Sequence, residues 1–169
     1  MAKLFVAGSI PALAAVAALI SGCGLMNPEG VRNPISPEES KAQVVDLARE
    51  VVHTLNLNVL SADFRHSPCN DDGVAPYRGE VVITYPLAAS MDASDAEVAA
   101  MIEQLRSNGW TDDPDFHSHA SVLTKNNVVI ELDPQTVSDR KRGITLRGEC
   151  RDITTSTKYG TPFEDLNLG

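Results

Sequence analysis

The feature that most limits this chain is the apolar run from Leu4 to Ile20, closed by Ser21-Gly22-Cys23. Within it only Ser9 is polar, and Lys3 with the free amine supplies a positive start. The run is near the lower limit for spanning a bilayer, and Gly8 and Pro11 weaken a permanent helix. A retained transmembrane anchor is the competing reading. The short length and the small residues before Cys23 favour a secretory signal peptide, residues 1–22, with a cut at Cys23 and a lipid attached there. Those residues then take no part in the fold. The chain from Cys23 onward is the size of one ordinary domain.

Removing this segment takes away Lys3 alone among charged side chains, so the remainder is more acidic than the net charge of -9 of the whole chain. An acidic surface argues against nucleic acid and against anionic headgroups as partners. With one Trp, three Tyr and four Phe the core is modest and gains from a covalent staple. There are three cysteines, Cys23, Cys69 and Cys150. If Cys23 carries a lipid thioether, two remain, and an exported chain meets an oxidising compartment. A Cys69–Cys150 disulfide is therefore expected over two free thiols.

Along the chain, residues 23–35 hold Asn27-Pro28, Gly30 and Asn33-Pro34 without periodicity, and read as a lipidated N-terminus and tether. Ser36-Pro37-Glu38-Glu39 is a helix start with a capping box. Val44, Ala48, Val51, Val52 and Leu55 then recur at helical spacing up to about Asn56. Val59 to Arg65 and Gly79 to Tyr85 read as strands, separated by the loop Ser67 to Gly73. Ser94-Asp95-Ala96-Glu97 matches a second capping box, followed by the stripe Val98, Met101, Ile102 and Leu105 and by a C-terminal Gly109. Phe116 to Thr124 and Val128 to Leu132 flank Asn126-Asn127 as a hairpin. Ile144 to Glu149 alternates as a last strand, and residues 154–169 read as a mobile C-terminal tail. The order α-β-β-α-β-β-β predicts an α+β domain over residues 36–153: an antiparallel sheet of about five strands with two amphipathic helices on one face.

Ile20-Ser21-Gly22-Cys23 resembles the lipobox of bacterial lipoproteins, with isoleucine where leucine is commonest. The resemblance implies a diacylglyceryl group, palmitate-type, on the Cys23 sulfur and cleavage after Gly22. Two acyl chains make a stable anchor, whereas one is marginal. The mature part is similar to small envelope lipoproteins of actinobacteria, mycobacteria above all. The residues that carry this are Ser36-Pro37-Glu38-Glu39-Ser40, Asp46-Leu47-Ala48-Arg49 and Ser107-Asn108-Gly109-Trp110, with the two late cysteines. That likeness covers most of the mature chain by layout. It implies a lipid-anchored place on the extracytoplasmic face of the cell membrane, and it carries over no catalytic residue.

Other constellations are weaker. His117 and His119 would share one face of a strand, as metal ligands must, with Asp113, Asp115 and His66 as further donors. Two solvated imidazoles is the competing reading, because a closed site needs more convergent ligands. Asn70-Asp71-Asp72-Gly73 lacks the alternating ligands of a calcium loop and reads as a solvated turn. Arg140-Lys141-Arg142 is the only basic run; an exposed turn is preferred to a contact with anionic lipid or wall polymer. No nucleophile elbow, phosphate loop or zinc-protease helix occurs, so no catalytic residue and no cofactor is expected. The sequence thus points to a binding module for an envelope protein, lipid or glycan. A metal-dependent or hydrolytic envelope enzyme around His117 and His119 is the alternative.

Overall fold

The computed structural model describes residues 30–112 and 120–169. Cys23, Asp113, Asp115, His117 and His119 lie outside them, as do residues 116–119 of the expected hairpin strand.

The first helix, α1, spans Pro37–Leu55. Ser36 accepts from the Glu39 amide at 3.1 Å and Glu39 returns the bond to the Ser36 amide at 2.8 Å, so two orphan donors of the first turn are met. Asn56, at φ 48°, ends the helix in the left-handed region that Asn tolerates. The buried side is wider than the expected stripe and includes Val45 and Leu47 beside Val44, Ala48 and Val51.

Strands β1 (Ser61–Pro68) and β2 (Tyr77–Tyr85) come next. Helix α2 spans Met91–Ser107, then come β3 (Thr111–Asp112), β4 (Ser121–Lys125), β5 (Val128–Leu132), β6 (Arg142–Arg147) and β7 (Glu164–Asp165). Together they form one seven-stranded sheet in the order β3-β4-β5-β6-β2-β1-β7. Every strand pair in it is antiparallel. The α+β class stands, with two short edge strands added to the five expected.

Cross-strand register sorts the side chains by face, since directly opposed residues point the same way. Val81 opposes Phe64 and Leu146, and Ile83 opposes Ala62 and Ile144. Ile130 and Leu132 of β5 continue that layer, and Val98, Leu105, Val44 and Val51 from the helices close over it. All are buried, each large side chain contributing about 1.5–3 kcal/mol of transfer free energy. Gly79 sets how closely α1 approaches: a Cβ there would lie 2.5 Å from the Ser40 carbonyl oxygen. A side chain at this point would push the helix off the sheet.

Two local readings need correction. Ser94 does not cap α2. Ser90, one turn earlier, accepts from the Ala93 amide at 3.0 Å, while the buried Ser94 hydroxyl accepts from the Gln135 amide at 2.8 Å. Ser90 has Ala93 rather than Glu three residues on, so it caps without a capping box, and the loop after β5 claims Ser94. At the other end the Gly109 and Trp110 amides reach the Arg106 and Leu105 carbonyls, a Schellman closure that folds Trp110 into the core. The β4–β5 turn is as expected, with Asn126 and Asn127 at φ 50° and 61°.

Residues 154–169 are not a tail. β7 pairs with β1, the Leu166 amide donates to the Ala62 carbonyl at 2.8 Å, and Leu168 is buried. Their polarity concealed this, because edge pairing needs backbone groups and only two leucines. The described part of the tether is also docked: the Ile35 amide donates to the Arg151 carbonyl at 3.0 Å, Arg151 Nε donates to the Asn33 carbonyl at 2.7 Å, and Val31 is buried.

Candidate functional site

The helices cover one face of the sheet. The other carries Asp63 and Arg65 from β1, Arg78, Glu80, Val82 and Thr84 from β2, Glu131 from β5 and Thr145 and Arg147 from β6, placed there by the alternation of each strand. Glu80 stands at its centre, opposite Arg65 on one side and Arg147 on the other. Arg65 Nε reaches one carboxylate oxygen at 2.6 Å and Arg147 Nε the other at 2.9 Å. Arg147 also pairs with Glu131.

The Glu80 side chain is 5% exposed, which is rare for a carboxylate unless it is paired. Burial pushes its pKa up, but the hydrogen bonds from Arg65 and Arg147 outweigh burial and hold it below the ordinary value. Burial also works against the Arg147 cation, and Glu131 and Glu80 more than restore it. Arg65 lies over the Phe163 ring at 4.8 Å, so the C-terminal segment roofs one edge of the cluster.

Arg78 differs from its neighbours. It is half-buried, its Nε is inaccessible, and among the described residues it makes no hydrogen bond or ion pair through its side chain. Burial, then Arg147, pull its pKa down, and Glu80 and Glu131 oppose them.

Two shallow hollows adjoin the cluster and share Lys141. One, of about 390 Å³, lies between Glu131, Thr145 and the loop after β5, with Gln135 and Asp139 on its wall. The other, of about 340 Å³, is more apolar and lies between Val82, Thr84 and Phe163. Both fall in the size range of small-ligand sites.

Of the residues singled out by sequence, Cys69 and Cys150 are brought together in a disulfide, with Cα atoms 6.0 Å apart. His66 is engaged elsewhere than in a metal set. It faces the helix side, 3.5 Å from the Asp152 carboxylate but outside hydrogen-bond geometry, and burial lowers its pKa against the pull of Asp152. Asp152 is fully buried and accepts from the amides and hydroxyls of Thr154 and Thr155. Its backbone bridges Ile35 and Tyr77, tying both ends of the domain beside the disulfide. Among the described residues no group of three His, Cys, Asp or Glu side chains is arranged to hold a metal ion.

Arg140 and Lys141 are exposed, but Arg142 is not part of an exposed turn. It is buried over the Tyr85 ring, donates to the Pro86 carbonyl at 2.8 Å and forms an ion pair with Glu97 at 2.6 Å, although that N–H is not aimed along the contact. The loop Asn70 to Gly73 is a turn, closed by the Gly73 amide on the Asn70 carbonyl. The charged face itself escaped the sequence reading. The available signal was Arg78 and Glu80 alternating with Tyr77, Gly79 and Val81; the run Val81-Val82-Ile83 masked it.

A family model described as "Putative lipoprotein LppJ" matches residues 36–168, from the α1 cap to the last buried leucine. The chain belongs to the LppJ lipoprotein family. Relatives of that name from Mycobacterium bovis and Mycobacterium tuberculosis are 34% and 33% identical over 156 residues, covering 83% of this chain and 80% of theirs. No solved structure matches. The span of the LppJ match includes β7 and Leu168, in keeping with a fold that runs to the C-terminus. No described helix is long and apolar enough to cross a membrane.

Proposed function

We propose that this chain is a lipid-anchored binding module on the extracytoplasmic face of the cell membrane. Its signal peptide is removed after Gly22 and Cys23 carries the acyl chains. One observation carries this reading: in a member of a lipoprotein family, the Cys69–Cys150 disulfide leaves Cys23 as the remaining cysteine, and it closes Ile20-Ser21-Gly22-Cys23. A disulfide also suits an exported chain.

The fold gives such an anchor a direction. The chain enters at Ile35, beside Tyr77 and Asp152 at one end of β2. The loop after β5 rises at the other end, where Arg142 opposes Tyr85. At ~3.4 Å per residue these ends are roughly 27 Å apart. The larger hollow then opens away from the lipid, toward an envelope protein, lipid or glycan. The module is read as a binder rather than an enzyme, because the two glutamates at the centre of the open face, Glu80 and Glu131, are held in ion pairs with Arg65 and Arg147.

Intact-mass analysis of the isolated chain, reduced and unreduced, tests the anchor and the staple together. The expected mass is that of residues 23–169 plus acyl chains. Cys23→Ala should leave an uncleaved precursor or release the protein from membranes; unchanged mature size and membrane fractionation in that variant would refute the anchor.

A further inference from the structure

The end of the cluster at Arg78 is short of an anion. Arg65, Arg78 and Arg147 adjoin two glutamates, Glu80 and Glu131, and the next carboxylate of the face, Asp63, stands opposite Val82, on the far side of Glu80 from Arg78. Both oxygens of Glu80 are occupied by Arg65 and Arg147, and Arg147 also takes Glu131. Arg78 is left with no acceptor among the described residues, although its Nε is inaccessible to water. A guanidinium N–H closed off from water with no hydrogen-bond partner is costly, and an acidic group that pairs with the guanidinium offsets that cost. The molecule has acid to spare, at a net charge of -9, yet none of it pairs with Arg78 among the described residues.

The surroundings suit a small acceptor rather than a large one. Ser67 opposes Arg78 in register, and its side chain therefore lies on the same face, with no hydrogen bond engaging its hydroxyl among the described residues. A guanidinium presents parallel N–H groups that match two oxygens on one carbon or phosphorus centre. Arg65 and Arg147 flank the position and add positive potential, while their own hydrogen bonds stay with Glu80 and Glu131.

We propose that the sheet face at Arg78 is a binding site for an oxyanion of the phosphate type, with Arg78 as its principal donor and Ser67 beside it. The site lies next to Tyr77, at the end of β2 where the chain enters the fold. A free phosphate group and the phosphodiester of a lipid headgroup share the required chemistry. The site itself stands whether or not Cys23 is acylated. It is also the local exception to an acidic surface that otherwise repels anions.

The test uses the full chain as isolated, in neutral detergent, and compares it with Arg78→Met and Arg78→Lys. Inorganic phosphate is titrated at constant ionic strength by calorimetry, and thermal midpoints are read in parallel. The same midpoints are read in vesicles of phosphatidylcholine alone and with phosphatidylglycerol. Phosphate should raise the wild-type midpoint, bind roughly 10- to 100-fold more weakly to Arg78→Met, and bind at intermediate strength to Arg78→Lys, which keeps the charge without the fork. A shift with phosphatidylglycerol alone, lost in Arg78→Met, supports the site and makes the headgroup its source. Without ligand, Arg78→Met should be as stable as wild type or more so, because it removes a half-buried charge that has no ion-pair partner. A lower ligand-free midpoint in Arg78→Met would make Arg78 a structural residue and overturn the proposal. So would a phosphate or phosphatidylglycerol shift that survives in that variant, or no shift from either anion in wild type.

Discussion

Replacing Glu80 with glutamine should destabilise the domain far more than any exposed carboxylate would. The side chain is 5% exposed and its two oxygens take charged donors at 2.6 and 2.9 Å. Breaking a buried ion pair from one side costs about 3–5 kcal/mol, most of it from the charge left behind. Two features reduce that here. Arg65 and Arg147 are 31% and 24% exposed, so water recovers part of the loss, and Arg147 keeps Glu131. About 2–3 kcal/mol remains, a sizeable part of the ~5–15 kcal/mol that holds a domain folded. For a domain of this size that is a fall of roughly 10 °C in Tm. Urea denaturation of wild type and Glu80→Gln at pH 7 measures it directly. Asp46→Asn is the control, because its pair with Arg49 is exposed on α1 and should be worth less than ~0.5 kcal/mol. The double variant Glu80→Gln/Arg65→Gln should cost less than the sum of the two single changes, since each removes the other's stranded partner. A Glu80→Gln domain within ~0.5 kcal/mol of wild type would show that the network is screened like a surface pair, and the reasoning would fall.

Reducing the Cys69–Cys150 disulfide, which joins residues 81 apart in sequence, should cost up to about 4.5 kcal/mol in the chain-entropy model. Unfolding with and without reductant checks this, and a difference below ~1 kcal/mol would deny it the role of staple. Stability should fall as pH drops below 6.5, before the carboxylates titrate. Burial holds His66 below that ordinary value, against Asp152, Glu38 and Glu164 and with Lys41, so the unfolded chain binds the proton first. The slope is at most about 1.4 kcal/mol per pH unit, and His66→Asn should flatten it. A further loss should follow at lower pH. Glu80 and Asp152 are both held below their ordinary values of 4.5 and 3.8, so the stability they contribute is present above those values and disappears as pH falls through the folded ones.

Much of this protein can be read from local chemistry. The capping box at Ser36, the left-handed Asn pair at 126 and 127 and the glycine closure at Gly109 each satisfy specific backbone groups within a few residues, so sequence alone places them. Apolar periodicity likewise identifies the helices and the central strands. Cysteine counting identifies the disulfide, because an exported pair has one partner each. The misses have a common cause: they depend on partners remote in sequence. Ser94 looks like a cap until Gln135 claims it, and Arg142 looks like an exposed turn until Tyr85 and Glu97 enclose it. The segment 154–169 looks like a tail until β1 offers it an edge. The candidate site is the clearest case. Arg65, Arg78, Glu80, Glu131 and Arg147 come from four strands, and only the register of the sheet sets Glu80 between two arginines and leaves Arg78 with none. Sequence determined the elements and the staple, and it holds the lipobox-like Ile20-Ser21-Gly22-Cys23, since those follow from short-range bonding and composition. Tertiary pairing alone decided which charges meet, because an ion pair across a sheet has no local signature.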